Sequence, residues 1–276
     1  MNIQILTPDS RIPNLAAMKI SAYHKQLGDA VTFNFPLAGG DLTYASVLFQ
    51  WTPDPIADLV GGPKYPEGKL PPEMDAMKPD YTLYPNMEYS MGYTYKACPR
   101  TCSFCIVPKQ NLDDNHYSIW DFHETRFKKI CLMNNNTLAD ANWRDTFAEI
   151  VDAKLTIVDQ NGYDLRFIGE EQAEWFKRLK FDGYIHSAWD FPEHEAEVLR
   201  GLCNLKKAKV PRVMVYVMIG HTTPEEDLHR VMVIDAIGYD PFVMPLDKTN
   251  SYQKRFARWC NHKAIFKTVK WTDCKS

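Results

Sequence analysis

The sequence predicts an α/β protein on parallel strands: a small leading α/β domain over residues 1–85, a partial (β/α)6 barrel over 86–250 and a C-terminal helical, basic extension over 251–276. Three observations predict it. Apolar, strand-like runs alternate with helical ones from about residue 89, and strict alternation implies a parallel sheet covered by helices. The chain opens with a β-α-β pattern. Its 276 residues, 45% hydrophobic and 24% charged, suffice for two modest domains with cores of their own.

Each element follows from local pattern. "NIQIL" (2–6) and "AVTFNF" (30–35) are short strands, and between them Leu15, Met18, Ile20, Ala22 and Tyr23 fit a helix ending at Gly28. "YASVLFQW" (44–51) is a buried strand. The Pro- and Gly-rich stretch 53–74 is loop or connector. The second part has strands at 89–96, 128–134, 155–161, 183–189, 212–220 and 240–246. Helices fall between them, one opened by "TPEED", with proline in the first turn and acids that suit the helix dipole. Six units make an open barrel rather than a closed eight-fold one.

The net charge of −3 gives no global positive field for nucleic acid or an anionic membrane. "MNIQILTPDSRIPNL" lacks the basic and apolar regions of a signal peptide, and no run reaches the length of a membrane span. A cytoplasmic location is expected, where thiols stay reduced.

Against that background "MGYTYKACPRTCSFCIVPKQ" (91–110) carries the chemistry: Cys98, Cys102 and Cys105 in a C-x3-C-x2-C spacing. Such a cluster is metal-binding or catalytic before it is a disulfide framework, and seven cysteines in all is an odd number. Three readings stand beside one another. Offsets of 0, 4 and 7 also fit one helix face of packed cysteines. A zinc site wants a fourth ligand, and the next histidine, His116, lies eleven residues past Cys105. An iron–sulfur cubane held by three thiolates leaves its fourth iron for something else, which suits catalysis.

"CPRTCSFC" after a strand, with Phe104 just before the third cysteine, resembles the radical S-adenosylmethionine superfamily over roughly residues 89 to 250. It looks most like the CPRxCxFC branch, in which a Rossmann-like, cobalamin-binding-like domain precedes the barrel. The resemblance implies a 4Fe-4S cluster on Cys98, Cys102 and Cys105, with S-adenosylmethionine chelating the free iron. Reductive cleavage of S-adenosylmethionine would give a 5′-deoxyadenosyl radical that takes hydrogen from substrate. A low-potential donor, flavodoxin- or ferredoxin-like, is implied as partner.

Carried onto this chain, the resemblance assigns the S-adenosylmethionine amino group to the triplet Asn134, Asn135 and Asn136, where the family often has acidic pairs or Gly-Gly-Glu; an asparagine carbonyl can accept from an ammonium. The G-x-D-x-R pattern Gly162, Asp164 and Arg166 supplies a carboxylate clamp in Arg166, with Asp164 orienting it or facing substrate. A surface Asp–Arg pair is the plain alternative. Ser187 would reach the ribose, with His186 on the opposite face of the strand, and Ile219 and Gly220 would lie along the adenine. His221 and Asp190, near the strand ends, are candidates for substrate contact.

Cobalamin is not expected. The leading domain has no D-x-H-x-x-G loop, and its one histidine, His24, falls in a helix. There is no G-x-G-x-x-G either. The tail mixes Lys254, Arg255, Arg258, Lys263, Lys267 and Lys270 with Phe256, Trp259, Phe266 and Trp271. That mixture could stack and neutralise nucleic acid, but helical offsets favour an amphipathic helix over the barrel. Cys260 and Cys274 are expected to be ordinary thiols rather than part of a second cluster. The rival function is a non-catalytic zinc- or nucleic-acid-binding module using the cysteine loop and tail. The substrate classes in keeping with the resemblance are a small molecule, a nucleoside and a peptide. Methylthiolation is disfavoured, because neither a second three-cysteine set nor a distinct RNA-binding module is present.

Overall fold

In the computed structural model, which describes residues 1–35 and 39–274, the opening run becomes strand β1 (Asn2–Leu6), followed by helix α1 (Leu15–Gln26) and strand β2 (Ala30–Phe33). The expected β-α-β start is present. Helix α1 begins where Asn14 Oδ1 accepts the Ala17 N–H, satisfying one of the orphan donors of the first turn. It ends before Gly28, whose φ of +83° turns the chain out of the helix. Strands β3 (Leu42–Ser46) and β4 (Leu59–Gly61) complete a four-stranded parallel sheet in the order β2-β1-β3-β4. Ile3 and Ile5 of β1 are fully buried against Ala17 and Ile20 of α1, Tyr44 of β3 and Met74 of the short helix α2 (Pro72–Asp75).

Two expectations change here. The strand expected at 44–51 stops at Ser46, because the Asp9 carboxylate takes the N–H groups of Leu48 and Phe49 out of the ladder. Phe49 and Trp51 then stack on each other in the open, at 41% and 78% exposure, rather than being buried. The stretch 53–74, expected to be loop or connector, contains β4 and the start of α2. A three-residue edge strand with Leu59 and Val60 exposed has no alternation to betray it.

The chain divides into two compact units, Met1–Asn135 and Asn136–Ser276. The first also holds the parallel pair β5 (Ser90–Gly92) and β6 (Lys129–Leu132). Gly92 lies so close to the Phe122 ring that a Cβ there would sit 2.2 Å from it.

The second unit begins with α3 (Trp143–Asp152), β7 (Thr156–Ile157) and β8 (Tyr163–Asp164). Next come α4 (Glu170–Arg178), β9 (Lys180–Phe181), β10 (Ile185–Ala188) and α5 (Glu195–Lys207). It closes with β11 (Val213–Ile219), α6 (Pro224–Ile237), β12 (Asp240–Pro245), α7 (Ser251–Asn261) and α8 (Lys263–Thr268). Strands β8, β10, β11 and β12 pair in sequence, all parallel, and β7 pairs parallel with β9. The strand expected at 155–161 shrinks to Thr156–Ile157, and the unexpected short strand β8 follows the turn that Gly162 makes at φ +81°. Trp143, Phe147, Tyr163 and Phe176 pack edge to face beneath these strands.

The molecule is therefore α/β with parallel sheets. Among the described residues no helix is long and apolar enough to cross a membrane. The tail is helical as expected: Phe256 and Trp259 are buried, Lys263 is exposed, and α7 packs on β12. Residues 275–276 of that tail lie outside the described residues.

One ionisable group stitches the first unit together. Asp80 accepts from Ser21 Oγ at 2.6 Å, Lys25 Nζ at 2.7 Å and the Thr82 hydroxyl at 2.6 Å. Burial alone would raise its pKa, but these hydrogen bonds outweigh it and hold the carboxyl at about 2. A depressed folded-state pKa contributes stability that is complete above the ordinary value of 3.8 and fades as pH falls towards 2. Replacement by asparagine should cost up to about 2 kcal/mol near neutrality and remove that part of the acid-limb slope. Urea denaturation of Asp80→Asn and the parent between pH 2 and 7 checks both.

Candidate functional site

In the first unit the site is a long excursion between β5 and β6. It leaves the sheet at Thr94–Tyr95 and returns at His116–Tyr117, where Tyr95 and His116 form an antiparallel bridge and the Tyr117 N–H donates to the Thr94 carbonyl at 2.8 Å. Cys98, Cys102 and Cys105 all lie within this closed loop, each half-buried. A turn joins the last two, with the Cys105 N–H on the Cys102 carbonyl at 3.0 Å. Phe104 is half-buried beside them in sequence.

The asparagine triplet divides. Asn134 is buried, and its Oδ1 accepts the N–H groups of Thr94 (2.8 Å) and Tyr95 (3.1 Å) while its Nδ2 donates to the Thr94 hydroxyl. Asn135 Nδ2 donates to the Lys96 carbonyl at 2.6 Å. Both side chains hold the stem of the cysteine loop. Lys96 is fixed further by Asp75, which Lys19 also engages, and by Asp113 at 3.3 Å. Burial opposes the charge on Lys96, but the hydrogen bond it donates to Asp75 and the nearby charges of Asp75 and Asp113 together outweigh burial, and its pKa is raised. The two lysines likewise hold Asp75 below the usual carboxylate range against the opposing effect of its burial. This lysine–aspartate pairing was not visible in the sequence, where the residues are far apart.

In the second unit Asn136 Nδ2 donates to Asp164 Oδ2 at 3.2 Å. Asp164 in turn holds Arg166 by two parallel bonds, Nε to Oδ1 at 2.7 Å and Nη2 to Oδ2 at 2.8 Å. The expected Asp–Arg association is present, and it is largely buried, with side-chain exposures of 11% and 16%. One edge of the guanidinium is thus committed to Asp164 rather than offered outward.

Along β10 the faces alternate. Ser187 is buried on the side of Ile185, and its Oγ has no hydrogen-bond partner. His186 stands on the half-open side, stacked on Tyr216 of β11 at 5.2 Å. Its Nδ1 is bound to the Asp159 backbone carbonyl at 2.8 Å, and the His186 backbone N–H donates to Asp159 Oδ2. Burial raises the Asp159 pKa, against the hydrogen bonds from His186 and Gly162. Asp159 had no signal in the sequence beyond its place at a strand end.

The strand ends of this unit are fixed by Arg230, which is completely buried. Its Nη1 donates to the carbonyls of Trp189, Asp190 and Met218, and its Nη2 reaches Asp227 and the Thr222 hydroxyl at 2.6 Å. Asp227 also accepts from Tyr252 of α7 at 2.9 Å. Asp190 accepts the Met218 N–H, and its carbonyl meets His221 Nε2 at 3.0 Å, so these two expected residues are brought together. Burial raises the Asp190 pKa despite Met218, Arg230 and His221. Ile219 is fully buried. Gly220, at φ +98°, is covered by the Gln253 amide, which a Cβ would meet at 2.2 Å. Cys260 is a core residue whose thiol burial pushes up to about 12, and Cys274 is half-buried.

A legible signal for Arg230 did exist. Positions 227, 230, 231 and 234 share one face of α6, and Val231 and Ile234 are buried there. Charges on a core-facing stripe are charges that must be paired. Arg230→Met should therefore cost roughly 3–5 kcal/mol by stranding Asp227, and adding Asp227→Asn should recover part of it. Urea unfolding of the single and double variants measures this. No family model matches the chain, and no curated protein matches it.

Proposed function

We propose that this chain is a radical S-adenosylmethionine enzyme with its cluster on Cys98, Cys102 and Cys105. One observation carries the reading: three half-buried cysteines at C-x3-C-x2-C spacing on a single loop, closed at its base and pinned by Asn134 after a parallel strand. The donor set fits a cubane, because three thiolates satisfy three irons and leave one corner for a chelating ligand. Among the described residues no three His, Cys, Asp or Glu side chains are gathered as a finished cage. Ligand loops commonly close only around their metal. When bound, the cluster supplies the electron for reductive cleavage of S-adenosylmethionine, whose 5′-deoxyadenosyl fragment abstracts hydrogen from substrate.

The protein's own groups bind and orient. Asn134 and Asn135 keep the loop stem in place, so their part in this reading is positional. Arg166 would engage the S-adenosylmethionine carboxylate, with Asp164 and Asn136 fixing the guanidinium plane. Ser187, whose buried Oγ has no hydrogen-bond partner, would meet a ribose hydroxyl, with His186 on the opposite, half-open face of β10. Parallel pairing of β8, β10, β11 and β12 in chain order, with β9 on β7 instead, is compatible with a singly wound barrel. A cytoplasmic setting and a flavodoxin- or ferredoxin-like donor belong to the same proposal. The nucleic-acid reading of the tail loses support, since Phe256 and Trp259 are spent on the core.

Oxygen-free reconstitution should load about four irons per chain with matching sulfide. Cys102→Ala should retain few of them and lose formation of 5′-deoxyadenosine. Cleavage at the parent rate in that variant, or zinc without iron in the purified parent, sinks the proposal.

A further inference from the structure

The leading sheet carries a feature that the iron–sulfur reading does not use. Its strand order, β2-β1-β3-β4, reverses the direction of chain travel between β1 and β3. Open parallel sheets leave a crevice beyond the C-terminal strand ends at such a reversal, and ligands bind there. A cavity of about 260 Å3 occupies that place. Ser10 follows β1, Ser46 ends β3 and Leu48 follows it, Gly62 follows β4, and Leu15 and Ala16 open α1.

The crevice is built rather than incidental. Asp9 ties the loop after β1 to the loop after β3 through Leu48, Phe49 and the Thr52 hydroxyl. Asn14 Nδ2 donates to Ser46 Oγ at 3.0 Å across the opening. Gly62, at φ +97°, lies so near β3 that a Cβ would fall 2.6 Å from the Val47 carbonyl oxygen.

Its chemistry is set by one cation. Lys19 Nζ donates to Asp75 Oδ1 at 2.8 Å and to the Asp75 carbonyl, which leaves the third of its three donors for a ligand. Lys96 takes the other oxygen of the same carboxylate and also meets Asp113 at 3.3 Å, so Asp75 is shared between two ammonium groups and Lys96 is balanced by a second carboxylate. The first turn of α1 has no acidic residue. A second cavity of about 330 Å3 adjoins and shares Lys19, Leu70, Asp75 and Tyr93. Asp113 and Asp121 line only that second cavity, so the end beside α1 is the less acidic of the two.

We propose that this crevice binds a small ligand with one anionic oxygen group, a carboxylate or a phosphate monoester, on an apolar or aromatic body. The anionic oxygen meets Lys19, and the body lies against Leu48, Leu70 and Tyr93. The space is at or below the lower end of ligand pockets, roughly 300 Å3, which suits one ring and its substituent and is small for a macrocyclic cofactor. The inference stands apart from the cluster, because its residues lie outside the C-x3-C-x2-C segment and binding needs no iron.

Isothermal titration calorimetry of the whole chain with benzoate, phenyl phosphate and inorganic phosphate tests it. Benzoate or phenyl phosphate should bind saturably at one site, and whichever is tighter identifies the anionic group. Inorganic phosphate should be at least about tenfold weaker. Lys19→Met should weaken the aromatic anion by at least about tenfold. Ala16→Leu, which fills the crevice and leaves the Lys19–Asp75 pair in place, should do the same with an unchanged melting temperature. No saturable binding of either aromatic anion overturns the proposal. So does binding that Ala16→Leu leaves intact, or inorganic phosphate that binds as tightly as phenyl phosphate.

Discussion

The cysteine loop depends on a side-chain amide doing the work of a strand. Between Tyr95 and His116 the chain leaves the sheet and makes a long excursion with little regular structure. Loop closure costs entropy, and the first N–H groups beyond β5 would otherwise be buried without partners. Asn134 answers both needs, because its one carbonyl oxygen takes the N–H groups of Thr94 and Tyr95 together. With Asn135 on the Lys96 carbonyl, the stem that presents Cys98 is held from the end of β6. A shorter or purely anionic side chain could not both accept from and donate to this stem.

The same logic of buried polar groups governs the second unit. There Arg230 reaches three carbonyls around the ends of β10 and β11 while Asp227 balances its charge. Removing a guanidinium from water is costly, and only complete pairing makes it tolerable. The return is that Trp189, Asp190 and Met218 are fixed at one strand edge, where Asp190 and His221 also meet. Rigid strand ends carrying polar side chains are a common setting for chemistry in α/β proteins.

What could be read from the sequence follows from length and period. β1, β11 and β12 were legible because they are runs of apolar residues bounded by turn signals. β4, β8 and β9 were not, since two or three residues carry no measurable period. The end of β3 was misjudged because "VLFQW" is strongly strand-forming, and the competing hydrogen bonds come from Asp9, far back in the chain. At the candidate site the residue types were legible and the division of labour was not. The asparagine triplet stood out, yet nothing local told that two of its members hold the cysteine loop while Asn136 joins Asp164. Pairings such as Lys96 with Asp75, or His186 with Asp159, exist only once the chain has folded.

The account rests on a thiolate-bound cubane with one corner that the polypeptide does not fill. Low-temperature electron paramagnetic resonance of reduced, oxygen-free protein examines that corner directly. The account predicts a cubane signal whose g-values move when S-adenosylmethionine is added. A signal indifferent to S-adenosylmethionine, or no cubane signal at all, would contradict it.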